Sequence, residues 1–240
     1  ILMGTVRGVV KKVATAEFQN AKTRGIIGIN LDDGDRLVSA CLTTGANEVF
    51  LVTRKGSALR MTEESVRSMG RASRGVMGIR LDKDDELAAM LRINPEERIL
   101  ILSEYGFGKR VDFDNFNPHG RGTGGQMIYV PDEKSGELVG AITVLDTDDV
   151  VVITSQGKTL KITSDSVSIQ GKGAKGVRVV NIERPDFVIG LDRIAREEDV
   201  EAEPEEAGAV HPEDAEASPL ASPAVETIVE PRETETDEGA

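Results

Sequence analysis

Short apolar runs, each followed by a glycine turn and a polar loop, recur four times along this chain. In the second copy the run Glu48–Thr53 precedes the turn Arg54–Gly56, and a polar loop then leads to two further aliphatic stretches. Continuous apolar runs of about four to eight residues between turn signals are typical of buried β-strands. This copy therefore predicts four strands, at residues 48–53, 57–60, 75–81 and 86–93.

Two independent sets of glycines share one spacing. The turn glycines are separated by 48, 50 and 51 residues, and the loop glycines by 50, 50 and 51. They are Gly8, Gly56, Gly106 and Gly157 in the turns and Gly25, Gly75, Gly125 and Gly176 in the loops. Such a period with several short strands per unit is typical of propeller blades, because one small sheet cannot bury its faces alone. We expect an all-β, propeller-like array of about four four-stranded blades, approximately 1–47, 48–96, 97–148 and 149–195.

The composition also favours strands. Apolar residues make up 39% of the chain but aromatic residues only 3%, and tryptophan is absent, so Val, Ile and Leu must build the core. No apolar run reaches the roughly 20 residues that a membrane helix needs, and no signal-peptide pattern begins the chain. We therefore expect a cytoplasmic protein.

The last part of the chain differs from the repeats. From Arg196 to Ala240 there are 16 acidic residues against 2 arginines, with frequent Ala and Pro. Such a segment buries too little apolar surface to offset the entropy of ordering its backbone. We expect 196–240 to be a disordered acidic tail that, as a tethered polyanion, competes with anionic ligands for basic sites.

The net charge of −13 hides a basic region. Residues 1–195 hold 27 basic and 26 acidic residues, and 20 of the basic ones fall in four segments with only 6 acidic ones. Because the repeats are equivalent, these segments should meet as one continuous belt. The candidate binding residues are Arg7, Lys11, Lys12, Lys22, Arg24, Arg54, Lys55, Arg60, Arg67, Arg71, Arg74, Lys109, Arg110, Arg121, Lys158, Lys161, Lys172, Lys175 and Arg178.

Cations flank the loop glycine in every repeat. A glycine loop with exposed amides between cations lets a phosphodiester backbone approach closely and be neutralised. Stacking platforms for single strands are scarce, since the basic segments contain few aromatic residues: Phe18, Phe107, Phe113 and Phe116. The pattern therefore predicts double-stranded DNA, held by its backbone with weak sequence preference.

Catalytic and cofactor chemistry finds little support in the sequence. The glycine-rich stretch Gly120–Gly125 precedes a strand-like run instead of the helix that a dinucleotide site needs, and no P-loop occurs. His119 and His211 lie far apart, and Cys41 is the single cysteine, so no metal or catalytic cluster is predicted. We expect a binding module with no catalytic residue and no cofactor of its own.

Several stretches resemble the repeats of the C-terminal domain of the bacterial DNA gyrase A subunit. The second repeat carries Leu51-Val52-Thr53-Arg54-Lys55-Gly56 and the stretch Met69–Leu81, and the first carries Arg24–Asp35. Tyr105-Gly106-Phe107-Gly108-Lys109-Arg110 fits the same family. The resemblance covers essentially all of 1–195, and the stretches occur in the family's order.

The resemblance implies a β-pinwheel whose blades exchange a strand with their neighbours. In this family the domain wraps duplex DNA around its outer edge and so supports ATP-dependent negative supercoiling of closed circular DNA. The cleaving tyrosine and the sites for ATP and Mg²⁺ belong to other domains or to the gyrase B subunit. The expected setting is a heterotetramer of two A and two B subunits, acting on the nucleoid in the cytoplasm.

Two departures leave alternatives open. The family's box Gln-Arg-Arg-Gly-Gly-Lys/Arg-Gly is absent, and about four blades are present where the family usually has six, so we expect the leading blades to precede Ile1. The A-subunit domain of topoisomerase IV, which favours decatenation, lacks an intact box and is one alternative. A kelch-type or chromatin-regulator-like interaction propeller is the other, although kelch blades typically carry the tryptophan that this chain lacks.

Overall fold

A computed structural model describes residues 1–194, so the predicted tail at 196–240 lies outside the described residues. The described chain is almost entirely β, with fifteen strands and four short 3₁₀ helices. The 3₁₀ helices are Thr15–Phe18, Glu63–Ser65, Phe113–Asn115 and Ser164–Ser166. The strands are β1 Leu2–Thr5, β2 Val9–Lys12, β3 Leu37–Cys41, β4 Glu48–Thr53, β5 Ser57–Thr62, β6 Val76–Met77, β7 Leu87–Arg92, β8 Arg98–Ser103, β9 Phe107–Val111, β10 Gln126–Met127, β11 Leu138–Val144, β12 Asp149–Thr154, β13 Thr159–Thr163, β14 Val177–Arg178 and β15 Val188–Ile194.

Each repeat begins with an antiparallel hairpin, as the apolar runs and turn glycines predict. The four hairpins have the same register, so that the third residue after each turn glycine faces the same position of the first strand. The four pairs are Met3↔Lys11, Leu51↔Leu59, Ile101↔Lys109 and Val152↔Leu160. The prediction of an all-β array of blades is confirmed.

The third strand of each later repeat belongs to the preceding sheet. The spacing placed all four strands of the second repeat in one blade, and this is wrong for 75–81, where only the two residues of β6 form a strand. This strand pairs with β2 of the first repeat, β10 pairs with β5, and β14 pairs with β9. The strand exchange implied by the family resemblance is therefore present, and we call these three elements the exchange strands.

The sheets stack side by side along one edge. Their strand orders are β3-β1-β2-β6, β7-β4-β5-β10, β11-β8-β9-β14 and β15-β12-β13. The first strand in each order packs against its equivalents in the neighbouring sheets, and these four strands form the inner edge. The fourth sheet has three strands within the described residues, because each exchange strand comes from a following repeat. The exchange strands lie at the opposite, outer edge.

The cores lie between neighbouring sheets. In β4, Val49 and Leu51 pack towards the first repeat, whereas Phe50 and Val52 pack towards the third. Because successive strand residues point to opposite faces, both faces of this sheet are buried and the strand is continuously apolar. The Phe50 ring crosses to the third repeat and meets Phe116 edge-on, with 4.9 Å between ring centroids.

The turn glycines are the joints between repeats. The carbonyl oxygen of Gly106 accepts hydrogen bonds from the amides of Val179 at 2.8 Å and Val180 at 3.2 Å. Gly8 and Gly56 make the same pair of contacts with the repeats that follow them. Gly106 has a φ of +77°, a conformation that residues with a side chain rarely adopt. A Cβ added at this position would lie 2.3 Å from the carbonyl oxygen of Val180. Glycine is therefore required here by both backbone conformation and packing.

No helix of residues 1–194 is long and apolar enough to cross a membrane.

Replacing two of the turn glycines one at a time should distinguish the effect of backbone conformation from that of packing. Gly157 has a φ of +78°, but nothing lies within 4 Å of an added Cβ, so Gly157→Ala should lower the free energy of unfolding by about 1–2 kcal/mol for conformation alone. Gly106→Ala must also displace the following repeat, and it should lower this free energy by roughly 3–5 kcal/mol. Urea denaturation of both variants measures the difference.

Equal losses for Gly106→Ala and Gly157→Ala would contradict a role of the glycine joint in holding successive repeats together.

Candidate nucleic-acid interface

The loops that precede the three exchange strands, and the equivalent loop of the first repeat, run along the outer edge of the sheets. We call the four loops together the basic belt; they comprise residues 19–25, 66–75, 116–125 and 167–176. The last three loops are anchored on the second hairpin strand of the preceding repeat. The amides of Met69, His119 and Gln170 donate to the carbonyls of Lys12, Arg60 and Arg110, each at 2.8 Å. Neighbouring repeats therefore position each of these loops together.

The cation at the fourth position after the turn glycine reaches into the next repeat. Lys12 donates through Nζ to the carbonyl of Glu63 at 2.9 Å, and Arg60 through Nη1 to that of Phe113 at 3.1 Å. Arg110 donates through Nε to the carbonyl of Val167 at 2.7 Å. These acceptors lie in or beside the 3₁₀ helices. These donors therefore hold the start of the three belt loops that follow, at 66–75, 116–125 and 167–176.

Two lysines at the third position are buried beneath the belt. Lys109 is 0% exposed, and its Nζ donates to the carbonyls of Gly171 at 2.9 Å, Lys172 at 2.9 Å and Ala174 at 2.6 Å. Lys11, also 0% exposed, holds Gly28, Arg71 and Ser73 through their carbonyls in the same way. Each ammonium uses its three donors on carbonyls of the loop backbone, which compensates part of the cost of burying its charge.

Burial shifts the ionisation of both lysines. It lowers the pKa of Lys109 from an ordinary 10.5 to about 8. Burial and the nearby positive charge of Arg71 lower the pKa of Lys11 as well. In both cases the loss of hydration on burial disfavours the charged form.

Three of the predicted binding residues are therefore buried beneath the belt and not exposed on it. The side chains of Lys11, Lys109 and Arg110 are buried and engaged by the backbone, so they do not offer their charge to a phosphate. Comparison of the repeats distinguishes the two buried lysines from the exposed cations. Leu59 and Leu160 occupy the equivalent position in the second and fourth repeats. A cation that replaces a core leucine in an equivalent repeat is directed inward.

The cations of the hairpin turns lie beside the acidic turns. Arg54 pairs with Glu104 at 2.9 Å and with Glu137 at 3.0 Å, and Lys158 lies 3.7 Å from Asp186. The charges of these turn cations are therefore partly balanced by neighbouring carboxylates. Arg7 and Lys55 lie there too, next to Asp35 and Asp85, which accept hydrogen bonds from their backbone amides. Lys161 pairs with Asp149 at 2.7 Å.

The exposed cations of the outer edge remain available for a ligand. Arg74 pairs with Asp32 at 2.9 Å, and Lys175 pairs with Asp132 and, with the hydrogen bonds of Ser135, holds the pKa of that carboxyl below its ordinary value. Exposed pairs of this kind contribute only about 0.2–1 kcal/mol, so a phosphate can replace the carboxylate. Arg71 and Lys172 are half-buried in the same loops. The exposed set is Lys22, Arg24, Arg67, Arg74, Arg121, Lys175 and Arg178.

The aromatic residues of the basic segments and His119 have different environments. Phe113 and Phe116 are buried in the core, and Phe107 lies beneath the Arg178 guanidinium, 4.8 Å from its ring centroid. His119 is exposed in a belt loop. In the described part of the chain, no three His, Cys, Asp or Glu side chains gather as they would around a metal ion.

Comparison with known proteins places this geometry in a family. The family described as DNA gyrase C-terminal domain, beta-propeller, matches residues 1–40, 47–94, 97–144 and 148–195, one segment for each repeat. The chain belongs to this DNA gyrase family. It is 64% identical over 191 residues to the DNA gyrase A protein of Treponema pallidum (strain Nichols), covering 80% of this chain and 24% of that protein. The chain thus spans about a quarter of the length of the curated gyrase A proteins that it matches.

Two solved structures share the gyrase fold. A DNA gyrase A C-terminal domain aligns with a TM-score of 0.74 and 29% identity, covering 81% of this chain and 65% of that chain. The C-terminal domain of DNA topoisomerase IV aligns with a TM-score of 0.76 and 26% identity, covering 80% and 61%. The fold is therefore common to both enzymes, and the kelch alternative gains no support.

Replacing Lys109 should loosen one belt loop without changing the sheet. Leu59 shows that this position accepts leucine, so Lys109→Leu should fold, with a free energy of unfolding lower by about 1–3 kcal/mol at pH 7 because three carbonyls lose their donor. Between pH 8 and 10.5 the unfolded chain holds a proton that folded Lys109 has released, so the stability of the native chain should rise relative to the variant. Urea denaturation at pH 7, 9 and 10 measures both effects.

Lys22→Leu, at an exposed belt position, is the control and should change stability by less than about 0.5 kcal/mol. A stability gap between native chain and Lys109→Leu that narrows with rising pH would contradict the buried-lysine interpretation.

Proposed function

We propose that this chain is the DNA-binding and DNA-wrapping module of a gyrase A subunit, with duplex DNA lying along the basic belt. The observation that carries the proposal is the placement of exposed cations in equivalent loops along one edge of four successive sheets. Arg24, Arg74, Arg121 and Lys175 represent the four loops. Neutralising phosphates with such cations releases counterions, which is the main source of affinity in backbone-directed DNA binding.

The order of the stacked sheets also sets the order of the belt loops along the outer edge. Successive sheets contact one another through equivalent strands at the inner edge, so the loops follow one another along the basic belt in the order of the sheets. A duplex that contacts all four loops has to bend along it. Smooth bending of a 20–30 base-pair site costs about 1–6 kcal/mol, which additional phosphate contacts must offset.

Two observations bear on the choice between gyrase and topoisomerase IV. The fold does not discriminate, because both solved domains align with nearly the same TM-score. The 64% identity to a gyrase A protein favours gyrase. On this basis the module supports ATP-dependent negative supercoiling by a holoenzyme of two A and two B subunits in the cytoplasm, acting at the nucleoid. ATP and Mg²⁺ would be bound by other domains of that enzyme, and the repeats need no cofactor.

Binding to duplex DNA should depend steeply on salt. Each phosphate contact adds about 0.9 to the slope of log affinity against log salt, so engagement of all seven exposed cations of the outer edge gives a slope of about 6. Arg74→Glu should weaken binding to unrelated sequences equally and lower the slope by about 1. Fluorescence anisotropy with a labelled duplex between 50 and 200 mM salt, roughly the range where such contacts dominate, tests this expectation.

Lys158→Glu is the matched control, since Lys158 is also exposed but lies beside an acidic turn. It should leave the salt slope unchanged. Affinity that is independent of salt, or equal losses for Arg74→Glu and Lys158→Glu, would refute the belt as the DNA site.

Wrapping itself is tested by topology. A nicked plasmid is sealed by ligase in the presence of the chain, the protein is removed, and the linking difference is measured. A positive shift that grows with protein concentration is the expected result for a domain that wraps DNA with positive handedness. Salt-dependent binding without any shift would restrict the function of these repeats to holding DNA.

A further inference from the structure

An exposed apolar side chain occurs at the same position of three successive repeats. It is the second residue after the loop glycine: Ile27 is 65% exposed, Met77 54% and Met127 53%. In the second and third repeats, the residue two positions further along the chain is buried: Ile79 is 1% exposed and Tyr129 2%. These side chains thus project outward from the outer edge and are not part of the cores.

A cation from the following loop lies beside each of these residues. Arg71 donates through Nη1 to the carbonyl of Ile27 at 3.1 Å, and Arg121 does the same to that of Met77 at 3.4 Å. In the third repeat Lys172 donates to the side-chain oxygen of Gln126, the neighbour of Met127, at 3.0 Å. The pairing of one outward apolar residue with one loop cation is therefore repeated three times.

The surroundings of Met127 show the space available. The side chain borders a shallow cavity of about 150 Å³, whose wall also includes Lys172 and Lys175. At the equivalent place in the second repeat, the Met77 sulfur approaches Gly122, where an added Cβ would be 3.8 Å away. Each methionine is thus flanked by a glycine-containing loop and can change its rotamer, as its unbranched side chain allows.

Such a position suits the groove of a duplex. If the loop cations contact phosphates, an apolar side chain between them faces the space between phosphates, where sugars and base edges are exposed. Proteins that bend DNA from the minor groove often insert apolar side chains between base steps, and methionine is among the residues they use. Because each apolar residue lies beside a loop cation, the best ligand for this surface offers both anionic and apolar groups.

We propose that Ile27, Met77 and Met127 enter the minor groove of duplex DNA held on the basic belt and partly open base steps, so that the duplex bends along the blades. The inference rests on the proposed DNA-binding function. In this proposal the cations provide the affinity for DNA, and the apolar residues bend the duplex. The fourth repeat departs from the pattern, because Arg178 takes this position and adds a cation instead.

The test compares the 240-residue chain with its Met77→Ser/Met127→Ser double variant. Ligase sealing of a nicked plasmid should give a linking difference at least about twofold smaller for the variant, whereas the slope of log affinity against log salt should stay unchanged. A duplex that carries 2-aminopurine at successive positions should become brighter when the native chain binds, because unstacked 2-aminopurine fluoresces more strongly. This increase should be lost in the variant.

Ile189→Ser is the matched control, because Ile189 is also 54% exposed but lies on β15 at the inner edge. It should retain the native linking difference and the fluorescence increase. Circular dichroism and thermal unfolding verify that each variant is folded. A folded double variant with native wrapping and fluorescence would overturn the inference while leaving DNA binding intact. Salt-independent binding by the native chain would overturn both the inference and the proposed function.

Discussion

Each of the first three repeats is completed by the one that follows it, through a two-residue strand and a glycine turn. The carbonyl of the turn glycine accepts two amides of the next repeat, and the close approach leaves no room for a side chain at Gly8, Gly56 and Gly106. The same joint brings the next loop across the hairpin of the preceding repeat. Because the cores also lie between sheets, no sheet of the described repeats has a complete core of its own, and the position of each exchanged loop depends on the stacking of the sheets.

The cations of the repeats have three different environments. Some are buried and hold loop backbones, as Lys109 does beneath its three carbonyls. Others pair with carboxylates at the hairpin turns, as Arg54 does. A third group, which includes Arg74 and Lys175, is exposed on the belt loops. Charge that is nearly balanced over residues 1–195 is therefore separated in space, with paired charges at the turns and available cations at the outer edge.

This separation explains how an acidic chain can carry an edge of exposed cations, as the proposed DNA binding requires. Each buried lysine donates its hydrogen bonds to the backbone of one belt loop and so holds that loop in place. The exposed cation of the same loop therefore keeps a defined position, although its own side chain is not bonded to the backbone. Preorganisation of this kind reduces the side-chain and loop ordering that binding otherwise requires. The gyrase family shares the repeat architecture in which these environments arise, and the strand exchange ensures that every complete belt loop is supported by two repeats.

The sequence by itself determined the number of repeats, the hairpins and the positions of the basic loops, because apolar runs and turn glycines reflect local strand and turn chemistry. It did not determine to which sheet β6, β10 and β14 belong, since a strand of two residues pairs equally well with its own or a neighbouring hairpin until the sheets pack. Nor did it distinguish Lys11 and Lys109 from the exposed belt cations. Burial is a property of the neighbouring repeat that covers a residue, so only the tertiary structure decided which cations face inward.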